Sequence, residues 1–283
     1  MKILIVTPMH NEEANVTSVH SSLARQSLRD FEWVVVNDGS SDGTASALQG
    51  LQSWPVPRVH ERQNGGGLIG GSAYSAWRFG IERALLDVQD VTHIMKLDAD
   101  VVLPENYLAQ VTAAMGADVG LAGGVIVGAG MREQAHHVPG PVKLYSKVAY
   151  DALGELPSAI GFDVMDEVAI QAAGMRVVVL KEARVQLARA IGASEGSVHG
   201  RFRNGRVCRW TGYYFPYFLL HMLRYALRKP YLIGSLAMFL GYVRASEGPY
   251  PRPLKSAHSA VQKKKAAALL RSPVRWLQET YRY

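Results

Sequence analysis

The chain has 283 residues, of which 48% are hydrophobic and 19% charged. That length can bury a sizeable core, and that balance excludes wholesale disorder. A single cysteine, Cys208, excludes an intramolecular disulfide framework and reads as a small packed thiol in a reducing compartment. The formal net charge of +7 divides unevenly. Residues 1–175 hold 11 Lys and Arg against 20 Asp and Glu, a balance of −9, whereas residues 176–283 hold 20 against 4, a balance of +16. Such asymmetry points to a basic partner-binding segment, for which nucleic acid and anionic membrane are both candidates on charge alone. No secretory signal is visible, because the apolar run after Met1 ends at Pro8 after only about five residues.

Strand and helix patterns alternate from residue 1 to about 127, which predicts a largely parallel sheet with helices on its faces. Strands are expected near 2–7, 31–37, 57–61, 92–98 and 119–127, and helices near 12–26, 42–51, 71–88 and 104–115. The first strand runs into the polar turn Thr7-Pro8-Met-His-Asn11-Glu12-Glu13. The second ends in Asn37-Asp38-Gly39-Ser40-Ser41-Asp42-Gly43-Thr44, whose glycines and hydroxyls suit a turn and a helix N-cap. Glycines from Gly65 to Gly71, preceded by Asn64, open the third helix. They let the backbone approach a ligand, and helix N-termini attract phosphate, although a surface loop has the same composition.

The fourth strand ends Lys96-Leu-Asp98-Ala-Asp100, just before the proline-led helix start at Pro104. Magnesium is usually held by one or two carboxylates plus substrate phosphates, and residues two apart on a strand point the same way. Asp98 and Asp100 therefore suit one shared ion, or one orients the other; a lone Asp-x-Asp also fits a solvated strand end. Ligands of open α/β sheets bind beyond the carboxyl ends of the strands, so these acidic ends describe one rim of one site.

Residues 128–162 read as irregular, with His136-His137 in a solvated loop because no third metal ligand is spaced with them. A helix is expected from Asp163 to Gly174, with Asp163, Asp166 and Glu167 on one acidic face of its first turns. Acidic residues there also complement a helix N-terminus. A strand follows at Met175–Leu180. The apolar runs 211–223 and 230–243 fall short of the roughly 18 to 20 residues that span a bilayer. Their tyrosines and flanking Arg and Lys fit helices lying in a membrane interface, and a buried helical pair fits the same pattern. Beyond Glu247 the chain is proline-rich, then Lys263-Lys264-Lys265 begins a basic helical pattern.

Thr7 to Glu13, Val35 to Thr44, and Leu97 to Asp100 with Pro104, taken in that order, resemble glycosyltransferase family 2. The resemblance covers roughly residues 1–185. It implies the α/β nucleotide-diphospho-sugar transferase (GT-A) fold, a mostly parallel sheet flanked by helices. In the family's pattern Thr7, Pro8 and Glu12 line the nucleotide pocket, Asp38 reads the base, and Asn64 with Gly80-Ile81 lies near the nucleotide-sugar. Asp98 and Asp100 hold Mg²⁺ or Mn²⁺. Asp163 aligns with the general base when counted back from Gly174, but Phe162 replaces a usual glutamate, which leaves Asp163 and Asp166 both open. A histidine that often completes the metal site is missing after residue 180, and His199 is the nearest candidate. Arg206-Val-Cys-Arg209-Trp210 resembles the Gln-x-x-Arg-Trp of processive members without its glutamine, so processivity is not supported.

The expected organisation is a catalytic domain over 1–185, a connecting loop over 186–210, and a basic helical, membrane-associating region over 211–283. The expected function is inverting transfer of a sugar from a UDP- or GDP-sugar to a lipid-linked or glycan acceptor. It would proceed on the cytoplasmic, anionic face of the cell membrane in polysaccharide or glycolipid assembly, with no nucleic acid partner. A dinucleotide-binding Rossmann domain is disfavoured because no G-x-G-x-x-G follows the first strand. A sugar-nucleotide nucleotidyltransferase should carry a glycine-rich, basic turn where this chain is acidic. The non-enzyme alternative is a membrane or nucleic-acid adaptor resting on the basic half.

Overall fold

The computed structural model describes residues 1–63, 71–127, 137–154, 156–187, 197–226 and 230–272. The chain divides into two compact units, one of Met1–Asp163 with Ala173–Ala190, the other of Val164–Ala172 with Ile191–Tyr283.

The first unit opens with β1 (Lys2–Met9), α1 (Glu13–Ala24), β2 (Phe31–Asp38), α2 (Thr44–Gln49), β3 (Arg58–Arg62) and α3 (Gly71–Asp87). It continues with β4 (Val91–Leu97), β5 (Val101–Val102), α4 (Tyr107–Ala113), β6 (Val119–Val127), β7 (Val142–Ser146) and α5 (Lys147–Leu153). After α6 (Phe162–Ala172), β8 (Arg176–Leu187) completes a sheet of order β3-β2-β1-β4-β7-β6-β8-β5. Among the described pairings, β2 with β3, β1 with β2, β1 with β4, and β6 with β8 are parallel; the three made by β4 with β7, β6 with β7, and β5 with β8 are antiparallel.

Strands covered on both faces read as continuous apolar runs. Ile3 to Val6 and Val34 to Val36 accordingly have no exposed surface. Thr7, which follows in β1, is also buried, and its Oγ1 accepts the Trp33 indole N–H at 3.1 Å. Helix α3 lies close on this sheet at Gly80, where a Cβ would come within 2.6 Å of Val36 and 2.7 Å of Val6.

The irregular stretch expected over 128–162 is corrected in its described part, where β7 and α5 occupy 142–153. Lys143 hides β7: a charged residue in a five-residue strand argues against burial, yet it has no exposed surface. Helix α5 is short but signalled at both ends. Ser146 Oγ accepts the Ala149 N–H at 3.1 Å, and Gly154 ends the helix at φ 56°.

The second unit takes in Val164–Ala172 of α6, α7 (Ser197–Trp210), α8 (Phe215–Ala226), α9 (Tyr231–Arg244) and α10 (Arg252–Arg271). The expected connecting loop over 186–210 is therefore corrected. Its first two residues end β8, and residues 197–210 form a helix. Gly200 and Gly205 both lie inside this helix, where glycine is unfavourable. Gly205 lies against the backbone of Met238, and Gly241 against that of Phe202, so α7 and α9 cross with no room for a Cβ at either. Phe218 stacks on Tyr242 at 4.3 Å beside the buried Cys208, whose thiol burial pushes up to about 12. His258 of α10 donates from Nδ1 to the Thr211 carbonyl at 2.8 Å, and Gln262 Oε1 accepts the Tyr214 N–H at 2.7 Å. Among the described residues no helix is long and apolar enough to cross a membrane.

A test of the packing follows from Gly124, where a Cβ would overlap the Ala183 carbonyl of β8. Gly124→Ala should cost about 3 kcal/mol by overpacking, a fall of roughly 6–12 °C in the thermal midpoint. An unchanged midpoint would show that β6 and β8 do not approach so closely.

Candidate active site

At the end of β1 the chain turns through Asn11, a non-glycine residue at φ 56°, a conformation asparagine tolerates better than most. This turn is stitched to the one after β2. Asn11 Oδ1 accepts the Ser41 N–H at 2.8 Å, the Asn11 N–H donates to Ser40 Oγ at 3.0 Å, and the Glu12 N–H donates to Thr44 Oγ1 at 2.8 Å. Thr44 donates in turn to Asp42 Oδ1 at 2.5 Å, and this bond first, then backbone N–H groups of Thr44 and Glu13, holds the Asp42 carboxyl below the ordinary carboxylate range. Two strand ends are thus joined into one polar rim. Pro8 and Glu12 belong to it, and Glu12 Oε2 accepts from Asn15 at 2.6 Å. Thr7 lies below the rim with its hydroxyl committed to Trp33.

Asp38 ends β2 with 3% of its surface exposed. Its Oδ2 accepts from Ser72 Oγ at 2.8 Å, while Oδ1 lies 3.4 Å from Arg62 Nη1 and accepts no hydrogen bond among the described residues. Arg62 reaches it because the register of β2 on β3 sets the two residues opposite each other. Asn64 falls outside the described residues.

Beyond β4, Asp98 stands with 30% of its side chain exposed, and the buried Lys96 ammonium bonds its Oδ1. Lys96 also donates to the Gly140 carbonyl at 3.1 Å, and the Asp98 N–H donates to the Pro141 carbonyl at 3.0 Å. Gly140 carries this contact onward: a Cβ built there would lie 3.6 Å from Asp163 Oδ2. Lys143, opposite Lys96 in the ladder of β4 and β7, donates to the Asp163 carbonyl at 2.5 Å. The structure therefore brings Asp98 and Asp163 onto one short segment, Pro139 to Pro141.

The other predicted residues are placed as follows. Asp100 is partly exposed, two residues beyond Asp98. Asp166 has no exposed surface, and its Oδ1 accepts the Glu167 N–H at 2.6 Å. His199 is an exposed residue of α7 in the second unit. Among the described residues no group of three or more His, Cys, Asp or Glu is arranged to hold a metal ion. Two carboxylates, one with an oxygen already bound by Lys96, still fit Mg²⁺ or Mn²⁺ where a substrate diphosphate supplies further oxygens.

Arg62, Ser72, Lys96, Gly140 and Lys143 were not singled out in the sequence as site residues. Lys96 carried a signal, since it lies two residues before Asp98 and so points to the same side.

A model of the family described as "Glycosyl transferase family 2" matches residues 4–158, more than half of the chain. The chain belongs to glycosyl transferase family 2. Solved structures with a similar fold are those of GT-A glycosyltransferases. One is the mannosyltransferase PcManGT from Pyrobaculum calidifontis in complex with GDP-Man and Mn²⁺, at 18% identity and TM-score 0.58, covering 99% of this chain and 84% of that one. Another is S. aureus TarS 1-349 in complex with UDP-GlcNAc, at 15% identity and TM-score 0.56, covering 98% and 79%. A further structure of TarS 1-349 is 17% identical at TM-score 0.52, covering 86% and 71%. At such identities the likeness is one of fold. No curated protein sequence matches the chain. The family-2 assignment makes the protein a glycosyltransferase with a GT-A fold.

Proposed function

We propose that the protein is an inverting, metal-dependent glycosyltransferase that moves a sugar from a UDP- or GDP-sugar to an acceptor hydroxyl. The observation that carries this reading is that Asp98 and Asp163 both lie beside Gly140, Asp98 through the Lys96 ammonium that also bonds the Gly140 carbonyl, and Asp163 by its side chain. In this reading Asp98 serves the donor and Asp163 the acceptor, from either side of that glycine. Nucleotide-sugars bound in PcManGT and TarS support a donor of the same class.

In this reading the base of the nucleotide donates a hydrogen bond to Asp38 Oδ1, the buried oxygen that lacks one among the described residues. Asp163 accepts the proton of the acceptor hydroxyl as the new bond forms at the anomeric carbon. The bond from that carbon to the diphosphate breaks on the opposite face, and the nucleoside diphosphate leaves with the electron pair. Asp98 and Asp100 would hold Mg²⁺ or Mn²⁺, which when bound supplies neutralisation of the leaving diphosphate charge. Asp163 is the base in preference to Asp166 because it retains exposed surface, whereas Asp166 is fully buried.

The acceptor in this reading is lipid-linked or a glycan, met at the inner, anionic face of the cell membrane. Helices α8 and α9 expose Leu223, Leu232, Ile233 and Leu236 by 58–73%, and α10 exposes Lys263, Lys264 and Lys265. Apolar faces beside basic helices suit the headgroup region of anionic lipid.

Two experiments test these statements. With UDP-GlcNAc and GDP-Man as donors and Mn²⁺ present, Asp163→Asn should preserve donor affinity and lower turnover about 10²-fold or more, the usual scale for general-base catalysis. Asp166→Asn should act through stability instead, and full activity in Asp163→Asn would refute the assignment. On vesicles containing phosphatidylglycerol, high salt should release the protein only partly, and Leu232→Glu with Leu236→Glu should release it fully. Equal binding to neutral and anionic vesicles, or none to either, contradicts the membrane reading.

A further inference from the structure

Lys96 and Lys143 face each other across the antiparallel ladder of β4 and β7, with 2% and 0% of their surface exposed. Directly paired residues put side chains on one face of a sheet, and like charges so placed oppose the pairing. Burying an ammonium adds a desolvation penalty that an aliphatic side chain at the same position avoids. Both lysines therefore weaken the strands that carry them, and core packing gives no reason for them.

Their partners give one. The Lys96 ammonium meets the Asp98 carboxylate and the Gly140 carbonyl, and lies 5.9 Å from the centre of the Phe162 ring. The Lys143 ammonium meets the carbonyl of Asp163, at the start of α6. Each lysine is aimed at the backbone or carboxylate of a proposed reacting residue. Together they offset two of the three negative charges on Asp98, Asp100 and Asp163, which would otherwise repel an anionic diphosphate.

We propose that Lys96 and Lys143 are positioning residues with separable tasks. Lys96 acts through Asp98: it fixes one carboxylate oxygen and turns the other towards the donor. Lys143 acts through Asp163: it holds the first turn of α6 by its carbonyl and so sets the height of the base above the acceptor. The inference rests on the donor and base roles proposed for Asp98 and Asp163.

The test uses the full chain with UDP and GDP, each titrated calorimetrically in MnCl₂, together with hydrolysis of UDP-GlcNAc and GDP-Man. Lys96→Met should weaken nucleoside-diphosphate binding about tenfold, the scale of losing a hydrogen bond to a charged group. Asp98→Asn should do the same. The double variant should bind within about twofold of Asp98→Asn alone, because the lysine acts through that carboxylate. Lys143→Met should leave nucleoside-diphosphate affinity within about twofold and lower kcat about tenfold or more through misplacement of the base, with donor KM unchanged.

Additive losses in the double variant, or Lys143→Met weakening nucleotide binding as Lys96→Met does, would overturn the division of tasks. Should Lys96→Met not fold, the double variant, neutral at both positions, still reports against Asp98→Asn. Lys96→Gln binding as the wild type would likewise overturn the need for a charge. If Asp98→Asn leaves binding unchanged, the donor role of Asp98 fails first; if it weakens binding and Lys96→Met does not, the lysine inference fails alone.

Discussion

A buried ammonium needs partners, and in the first unit the partners of Lys96 draw together the residues proposed to carry the chemistry. The lysine belongs to a central strand with β1 on one side and β7 on the other. Its three surroundings are a carboxylate at the end of its own strand, a carbonyl from the segment before β7, and an aromatic ring at the start of α6. Leaving that charge unpaired in a low-dielectric interior is expensive, so the segment Pro139 to Pro141 is drawn to the end of β4. Asp163 then arrives on the same segment from the other side.

The donor side depends on a different kind of constraint. Parallel strands β1 and β2 end together, and their polar turns satisfy each other: Asn11 with Ser40 and Ser41, Glu12 with Thr44, Glu13 with Asp42 and Gly43. Hydroxyls, an asparagine in the left-handed region and acidic side chains are all used to close the rim, which accounts for the composition of both turns. Asp38 remains just inside, with Ser72 and Arg62 as neighbours and one oxygen lacking a hydrogen bond among the described residues. A buried carboxylate oxygen in that state fits the proposed base-reading role, because an incoming N–H completes it.

Much of this was legible in the sequence, for physical reasons that differ by element. The strands β1, β2, β4 and β6 are buried on both faces, so each appears as an apolar run, and carboxylates at three strand ends mark the rim. The short strand β7 was not legible because Lys143 contradicts the expectation that a central strand is apolar. Helix α7 was not foreseen; its Gly205 serves close helix packing, which only tertiary structure reveals. Thr7 was read as a pocket residue, and its hydroxyl turns out to satisfy the Trp33 indole inside the core. The choice between Asp163 and Asp166 stayed open in the sequence because helical spacing puts both on one face. Burial separates them.

The central claim is that a nucleoside diphosphate and a divalent cation are held at the ends of β1, β2 and β4, with Lys96 still on Asp98. A crystal structure of the chain with UDP or GDP and Mn²⁺, with anomalous data collected at the manganese edge, addresses it most directly. The account predicts one manganese peak at Asp98 and Asp100, the base against Asp38, and the Lys96 ammonium on Asp98 and Gly140. A manganese peak away from Asp98 and Asp100, or a nucleotide bound without contact to Asp38, would contradict it.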